Sequence, residues 1–105
     1  MQPQGHLQLI SAMLDLNMDP QSAIDLPRFC IADGQSGGAV FFEDGIDPDV
    51  VEQLRKMGHK VATNPILKGY GRMLFGRAQI ILRDKDSGVL CAGSDGRADG
   101  AAMGW

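Results

Sequence analysis

The sequence predicts an α+β fold in which helices pack on a mainly antiparallel sheet. Three observations lead there. Apolar residues recur at helical spacing in two segments, Leu7 to Leu16 and Val50 to Met57. Two Asp-Pro steps, Asp19-Pro20 and Asp47-Pro48, have the form of a helix N-cap followed by proline in the first turn. Short apolar runs flank stretches rich in Gly, Ser and Asp, the pattern of strands joined by tight turns.

The elements follow in chain order. After Pro3, residues Leu7, Leu9, Ile10, Met13, Leu14 and Leu16 line a broad apolar face of a helix running to about Asn17. Asp19-Pro20 starts a short second helix that ends near Leu26, because Pro27 disfavours a helical residue before it. Phe29-Cys30-Ile31 and Ala39 to Phe42 read as a hairpin around the turn Asp33 to Gly38. Val50, Val51, Leu54 and Met57 form the stripe of a third helix that stops at Gly58. His59 to Ala62 reads as a short strand, and Asn64 to Gly76 as irregular chain. Gln79 to Leu82 and Val89 to Ala92 form a second hairpin around Asp84 to Gly88, before a glycine-rich tail from Gly93 to Trp105.

The chain has 105 residues, enough for one domain or a piece of one. Its net charge of −3, with Lys and Arg scattered, argues against nucleic-acid binding. No apolar run approaches a membrane span and the first segment lacks the regions of a signal peptide, so a soluble chain is expected. Fourteen glycines imply many turns or close backbone approaches. Cys30 and Cys91 each sit in an apolar run and are expected to be buried free thiols.

The chemistry-bearing motifs are few. Gly69-Tyr70-Gly71 with Gly76 lacks the following helix and the Lys-Ser or Lys-Thr of a phosphate loop, so it reads as a surface loop and no cofactor is expected. His6 and His59 fall in no metal-ligand spacing, and no metal is expected. Arg28, at a strand entry, and Arg97, between Asp95 and Asp99, carry a rigid five-donor fork suited to carboxylates and carbonyls. That chemistry would pin loops. The only threonine, Thr63, lies mid-chain, where it has no free α-amine to serve as its own base.

Several linked motifs resemble one family. Met-Gln-Pro-Gln-Gly-His opens the chain at Met1 to His6. Asn17-Met18-Asp19-Pro20-Gln21 follows, with Ala23, Asp25 and the Leu-Pro-Arg-Phe step at Leu26 to Phe29. Gly58-His59, Phe75-Gly76-Arg77-Ala78-Gln79 and the Gly93 to Ala102 segment complete the series. In this order they resemble the closing third of the small subunit of the γ-glutamyltransferase (gamma-glutamyltranspeptidase) family, within the N-terminal-nucleophile hydrolases. One departure stands out, Gly96 where the family usually has proline.

The resemblance implies a fold and a division of labour. The fold would be the outer part of an αββα sandwich whose remaining strands lie elsewhere. The threonine nucleophile and a Gly-Gly oxyanion pair would lie upstream of the segment matching Met1 to His6, so no catalytic residue is assigned in this chain. Arg28, Asp95 and Arg97 would be structural, bracing the small subunit. The parent activity would be transfer or hydrolysis of a γ-glutamyl group, as in glutathione, with this segment inactive alone. Its partner would be the upstream part of the same enzyme, or a second copy, meeting an exposed apolar face. A related amide hydrolase or acylase, or a non-catalytic binding or assembly module, stand as alternatives.

Overall fold

The computed structural model describes residues 1–31, 33–62 and 73–104. Thr63 and the Gly69-Tyr70-Gly71 loop lie outside the described residues, as do most of the irregular stretch and the terminal Trp105. The named elements, in order, are α1 (Gln2–Leu14), α2 (Pro20–Asp25), β1 (Phe29–Ile31), β2 (Val40–Phe42), α3 (Pro48–Lys56), β3 (Gln79–Arg83) and β4 (Leu90–Ser94). The strands make separate two-stranded antiparallel sheets, β1 with β2 and β3 with β4. An α+β composition is therefore present.

The chain divides into two compact units, Met1–Gly5 with Pro27–Gly76, and His6–Leu26 with Arg77–Trp105. In the first, Phe29 pairs with Phe42 and Ile31 with Val40. Cys30, Val40 and Phe75 are its buried apolar residues. The strand expected over His59 to Ala62 is reduced to a single parallel bridge, Val61 beside Val40, made by the Val40 amide to the Lys60 carbonyl and the Ala62 amide to the Val40 carbonyl. A strand needs more than one bridge, and the pairing goes no further among the described residues.

Helix α3 starts where its sequence signal lies, with the Asp47 carboxylate accepting from the Asp49 amide and proline in the first turn. It ends in a Schellman motif. Gly58 takes φ 98°, its amide bonds the Arg55 carbonyl and the His59 amide bonds the Leu54 carbonyl. The apolar stripe of α3 is only partly covered: Val51 and Leu54 are half-buried, and Val50 and nearby Met57 are exposed.

In the second unit the Asp19 carboxylate caps α2 through the Gln21 and Ser22 amides and the Ser22 hydroxyl. These bonds, the Ser22 hydroxyl foremost, lower the Asp19 pKa. Pro20, Ala23 and Ile24 are buried, and α2 lies on the β3–β4 hairpin. The approach is close enough that a Cβ at Gly93 would stand 2.8 Å from the Pro20 carbonyl carbon. Only glycine fits there.

Three expectations are corrected here. Helix α1 starts at Gln2, with Pro3 inside its first turn, and its regular part ends at Leu14; Asn17 instead takes a left-handed φ of 52°. On α1, Leu9 and Ala12 are buried, whereas Leu7, Ile10, Leu14 and nearby Leu16 are exposed. Helical spacing marks a face that favours burial but does not supply the surface to bury it. Cys30 is buried as expected, but Cys91 is exposed because little of the β3–β4 hairpin beyond Gly93 is covered. Among the described residues no helix is long and apolar enough to cross a membrane.

Candidate functional site

The residues singled out in the sequence fall into two polar clusters, one in each unit. In the second unit, Asp95 is buried at the end of β4. One of its oxygens accepts the Ala78 amide at 2.9 Å, and the other accepts the Arg97 amide at 2.9 Å and Arg97 Nη1 at 3.1 Å. The same guanidinium reaches the end of α2, donating from Nη1 to the Ile24 carbonyl at 2.9 Å and from Nη2 to the Leu26 carbonyl at 3.0 Å. These carbonyls sit at the negative end of a helix, where a cation is favoured. The guanidinium fork thus joins a buried carboxylate to a helix terminus.

A residue not singled out by the sequence completes this cluster. Gln21 accepts from the Ser94 amide at 2.9 Å and donates to the Ser94 carbonyl at 3.1 Å, so its side-chain amide pairs with the strand as a neighbouring peptide would. Gln79 Nε2 in turn donates to Ser94 Oγ at 2.9 Å. Glutamine on a helix carries no spacing signal that marks this duty. The Asp19-Pro20 signal puts Gln21 in the first turn of α2 without showing its partner.

In the first unit, Arg28 is buried. Its Nη1 donates to the carbonyls of Phe75 at 3.2 Å and Gly76 at 3.4 Å, and its amide donates to Glu43 at 2.8 Å. Gln4 repeats the peptide-like pairing. It accepts from the Ile31 amide at 2.8 Å and donates to the Ile31 carbonyl at 3.0 Å, tying the start of α1 to β1.

Neither cluster presents a nucleophile beside a base. The hydroxyls of Ser11, Ser22 and Ser87 donate to the carboxylates of Asp15, Asp19 and Asp84, which are helix-surface, cap and turn bonds. Among the described residues no three His, Cys, Asp or Glu side chains gather to hold a metal ion. What these arrangements do chemically is hold strand ends and helix ends in place with buried, charge-assisted hydrogen bonds.

The gamma-glutamyltranspeptidase family model matches residues 1–105. The chain belongs to the gamma-glutamyltranspeptidase family. Within it, the chain is 31% identical over 98 residues to a glutathione hydrolase proenzyme of Bacillus subtilis and 34% identical over 105 residues to a glutathione hydrolase-like proenzyme, YwrD, of the same organism. Those matches take in 93% and 98% of this chain but only 15% and 19% of the relatives, so the chain spans less than a fifth of their length.

Solved structures agree with this gamma-glutamyltranspeptidase assignment. A cephalosporin acylase from Bacillus halodurans is 35% identical with a TM-score of 0.80, covering 98% of this chain and 18% of its own. A Helicobacter pylori gamma-glutamyltranspeptidase mutant is 25% identical with a TM-score of 0.63, covering 90% of this chain and 47% of its own. The Bacillus anthracis transpeptidase CapD, at 20% identity and a TM-score of 0.74 over 97% of this chain and 56% of its own, shares the fold. The superfamily named by the sequence motifs, the N-terminal-nucleophile hydrolases, is the one these gamma-glutamyltranspeptidase and acylase structures represent.

Proposed function

We propose that this chain is a C-terminal segment of an enzyme that transfers or hydrolyses γ-glutamyl groups, and that it is inactive without the preceding part of that enzyme. The observation that carries this reading is the family match along residues 1–105 combined with coverage of only 15% and 19% of the two relatives. In the parent enzyme a threonine hydroxyl attacks the γ-carbonyl, passing its proton to its own α-amine, which then protonates the departing amine. Water or an acceptor amine attacks the resulting ester, releasing the γ-glutamyl product and restoring the threonine. That threonine and the oxyanion-stabilising glycines belong to the preceding part.

The role of this segment is to complete and brace the fold. It supplies the outer part of an αββα sandwich, and Arg28, Asp95 and Arg97 hold it in shape. The bonds of Arg97 to Asp95, Ile24 and Leu26, and of Arg28 to Phe75 and Gly76, support that assignment. A second reading, an acylase acting on another amide, is favoured by the 35% identity to the cephalosporin acylase. The specificity pocket would lie in the preceding part in either case. Release of anilide from a γ-glutamyl anilide, set against release of a side chain from a cephalosporin, by this chain mixed with the preceding polypeptide, separates the two. Turnover of the γ-glutamyl substrate is expected; turnover of the cephalosporin alone would overturn the first reading.

A further inference from the structure

An aspartate followed by glycine is a step at which a peptide backbone can rearrange, because the missing side chain leaves the glycine nitrogen open to the aspartate carboxyl. The chain has four such steps, Asp33-Gly34, Asp44-Gly45, Asp95-Gly96 and Asp99-Gly100. Rearrangement in the folded chain draws on two groups: the carboxyl, which must turn back onto the backbone, and the glycine amide, whose nitrogen must attack it. A hydrogen bond held by either group has to be given up first.

The hydrogen bonds separate the four steps. Asp33 is held at both groups, its carboxylate accepting from the Gln35 amide at 3.0 Å and the Gly34 amide donating to the Ile31 carbonyl at 3.0 Å. Asp95 is buried, and its carboxylate is held by the Ala78 and Arg97 amides and the Arg97 guanidinium. After Asp99, the Gly100 amide donates to the Ala98 carbonyl at 3.1 Å. The Asp44-Gly45 step differs from all three. Both residues are exposed, and among the described residues neither the Asp44 carboxylate nor the Gly45 amide makes a hydrogen bond.

We propose that Asp44-Gly45 is a modification site, where the backbone isomerises to a β-linked isoaspartyl residue, the substrate of an S-adenosylmethionine-dependent isoaspartyl methyltransferase. The Gly45 nitrogen bonds to Cγ of the protonated Asp44 carboxyl, the Cγ–OH bond breaks, and water leaves carrying the amide proton, which closes a cyclic imide. Water then adds at the Asp44 α-carbonyl and the bond from that carbon to the Gly45 nitrogen breaks. The chain now runs through Cγ, with the α-carboxyl free to accept a methyl group. Addition at Cγ restores aspartate, so no atom is gained or lost overall. The isomer has an extra backbone carbon between two fixed points. On one side Glu43 clasps Arg28, its amide donating to the Arg28 carbonyl at 2.9 Å and its carboxylate accepting from the Arg28 amide at 2.8 Å. On the other, Asp47 caps α3. Isomerisation therefore acts on the setting of the buried Arg28, and it does so whichever amide the parent enzyme cleaves.

The test ages the purified full chain in neutral buffer, with a parallel sample in urea. Peptide mapping measures isoaspartate at each of the four steps, and labelled methyl transfer from S-adenosylmethionine by an isoaspartyl methyltransferase measures the total. In buffer, isoaspartate should form at Asp44 at least about fivefold faster than at Asp33, Asp95 or Asp99, the factor that one retained hydrogen bond supplies. In urea, where those bonds are lost, the four rates should converge to within about twofold. Asp44→Glu lengthens the side chain so that the imide closes poorly, and should remove most of the methyl acceptance. It is preferred to a change at Gly45, whose φ of 105° strains any other residue. In the isomerised fraction, hydrogen exchange at the Glu43 amide should quicken. Rates at Asp33 or Asp99 that equal Asp44 in buffer, an undiminished Asp44 excess in urea, or unchanged methyl acceptance in D44E overturns the site. An unaltered Glu43 amide overturns the effect on the Arg28 clasp alone.

Discussion

Replacing Gly96 by proline should stabilise this chain. The Ala98 amide bonds the Asp95 carbonyl at 3.0 Å, closing a four-residue turn with Gly96 and Arg97 at its centre. Neither central residue has a positive φ, and Asn17 is the non-glycine residue that does, so the turn is type I and not type II. Position Gly96 is then the second of the four, where proline's fixed φ of about −65° fits. A Cβ built there meets nothing within 4 Å, and among the described residues the Gly96 amide makes no hydrogen bond that proline would remove. Restricting the unfolded chain at a compatible position gives about 0.4–1 kcal/mol. For a domain near this size that is a rise of roughly 2–6 °C in Tm.

Thermal unfolding of wild type and G96P, followed by far-UV circular dichroism, measures it. Gly93→Ala provides the contrast, because its methyl would lie 2.8 Å from Pro20 and 2.9 Å from Gln21. That backbone cannot yield without moving α2, so a loss of about 1–3 kcal/mol is expected. A lower Tm for G96P would show that the turn is not type I or that the Gly96 amide has a partner, and would refute the reasoning. The same result would also imply that the departure from the family's proline is a requirement of this chain.

Other outcomes follow from the polar clusters and thiols. Arg97→Lys keeps the charge but loses the fork, and should lower the urea stability by about 1–3 kcal/mol; Arg97→Met, which takes the guanidinium from the buried Asp95 carboxylate and leaves it to amide donors, should cost about 3–5 kcal/mol. Stability of R97K equal to wild type would count against the cluster as a brace. Asp19 has a lowered pKa in the fold, so its stabilisation is present above the unfolded value of about 3.9 and is lost as pH falls through that value toward the folded one. Asp19→Asn should therefore flatten the acid limb of the stability profile, which a pH series of unfolding curves checks. A thiol-reactive dye should label Cys91 at once and Cys30 only on unfolding, because burial of Cys30 both shields its thiol and pushes its pKa up.

Local signals carried much of the fold. The two Asp-Pro steps mark the starts of α2 and α3, because a carboxylate cap and a proline act within a few residues and need nothing from the rest of the molecule. The Asp84 to Gly88 turn and its flanking apolar runs locate the β3–β4 hairpin for the same reason. Burial was less legible. Leu7, Ile10 and Leu14 on α1, and Cys91 on β4, have the character of core residues, but which of them is covered depends on surfaces that spacing alone does not reveal. Arg28, Asp95 and Arg97 were visible as charged residues at strand entries and in a glycine-rich tail. Gln4 and Gln21 were not, since a glutamine that pairs with a strand edge has the same sequence signature as one facing water.

The central claim is that this segment has no catalysis of its own and completes an enzyme whose nucleophile lies in the preceding part. Release of anilide from a γ-glutamyl anilide tests it most directly, with the purified chain alone and with the chain mixed with the preceding polypeptide. The account predicts silence from the chain alone and turnover from the mixture. Turnover by the chain alone would contradict it, because a nucleophile and base would then have to exist within these 105 residues.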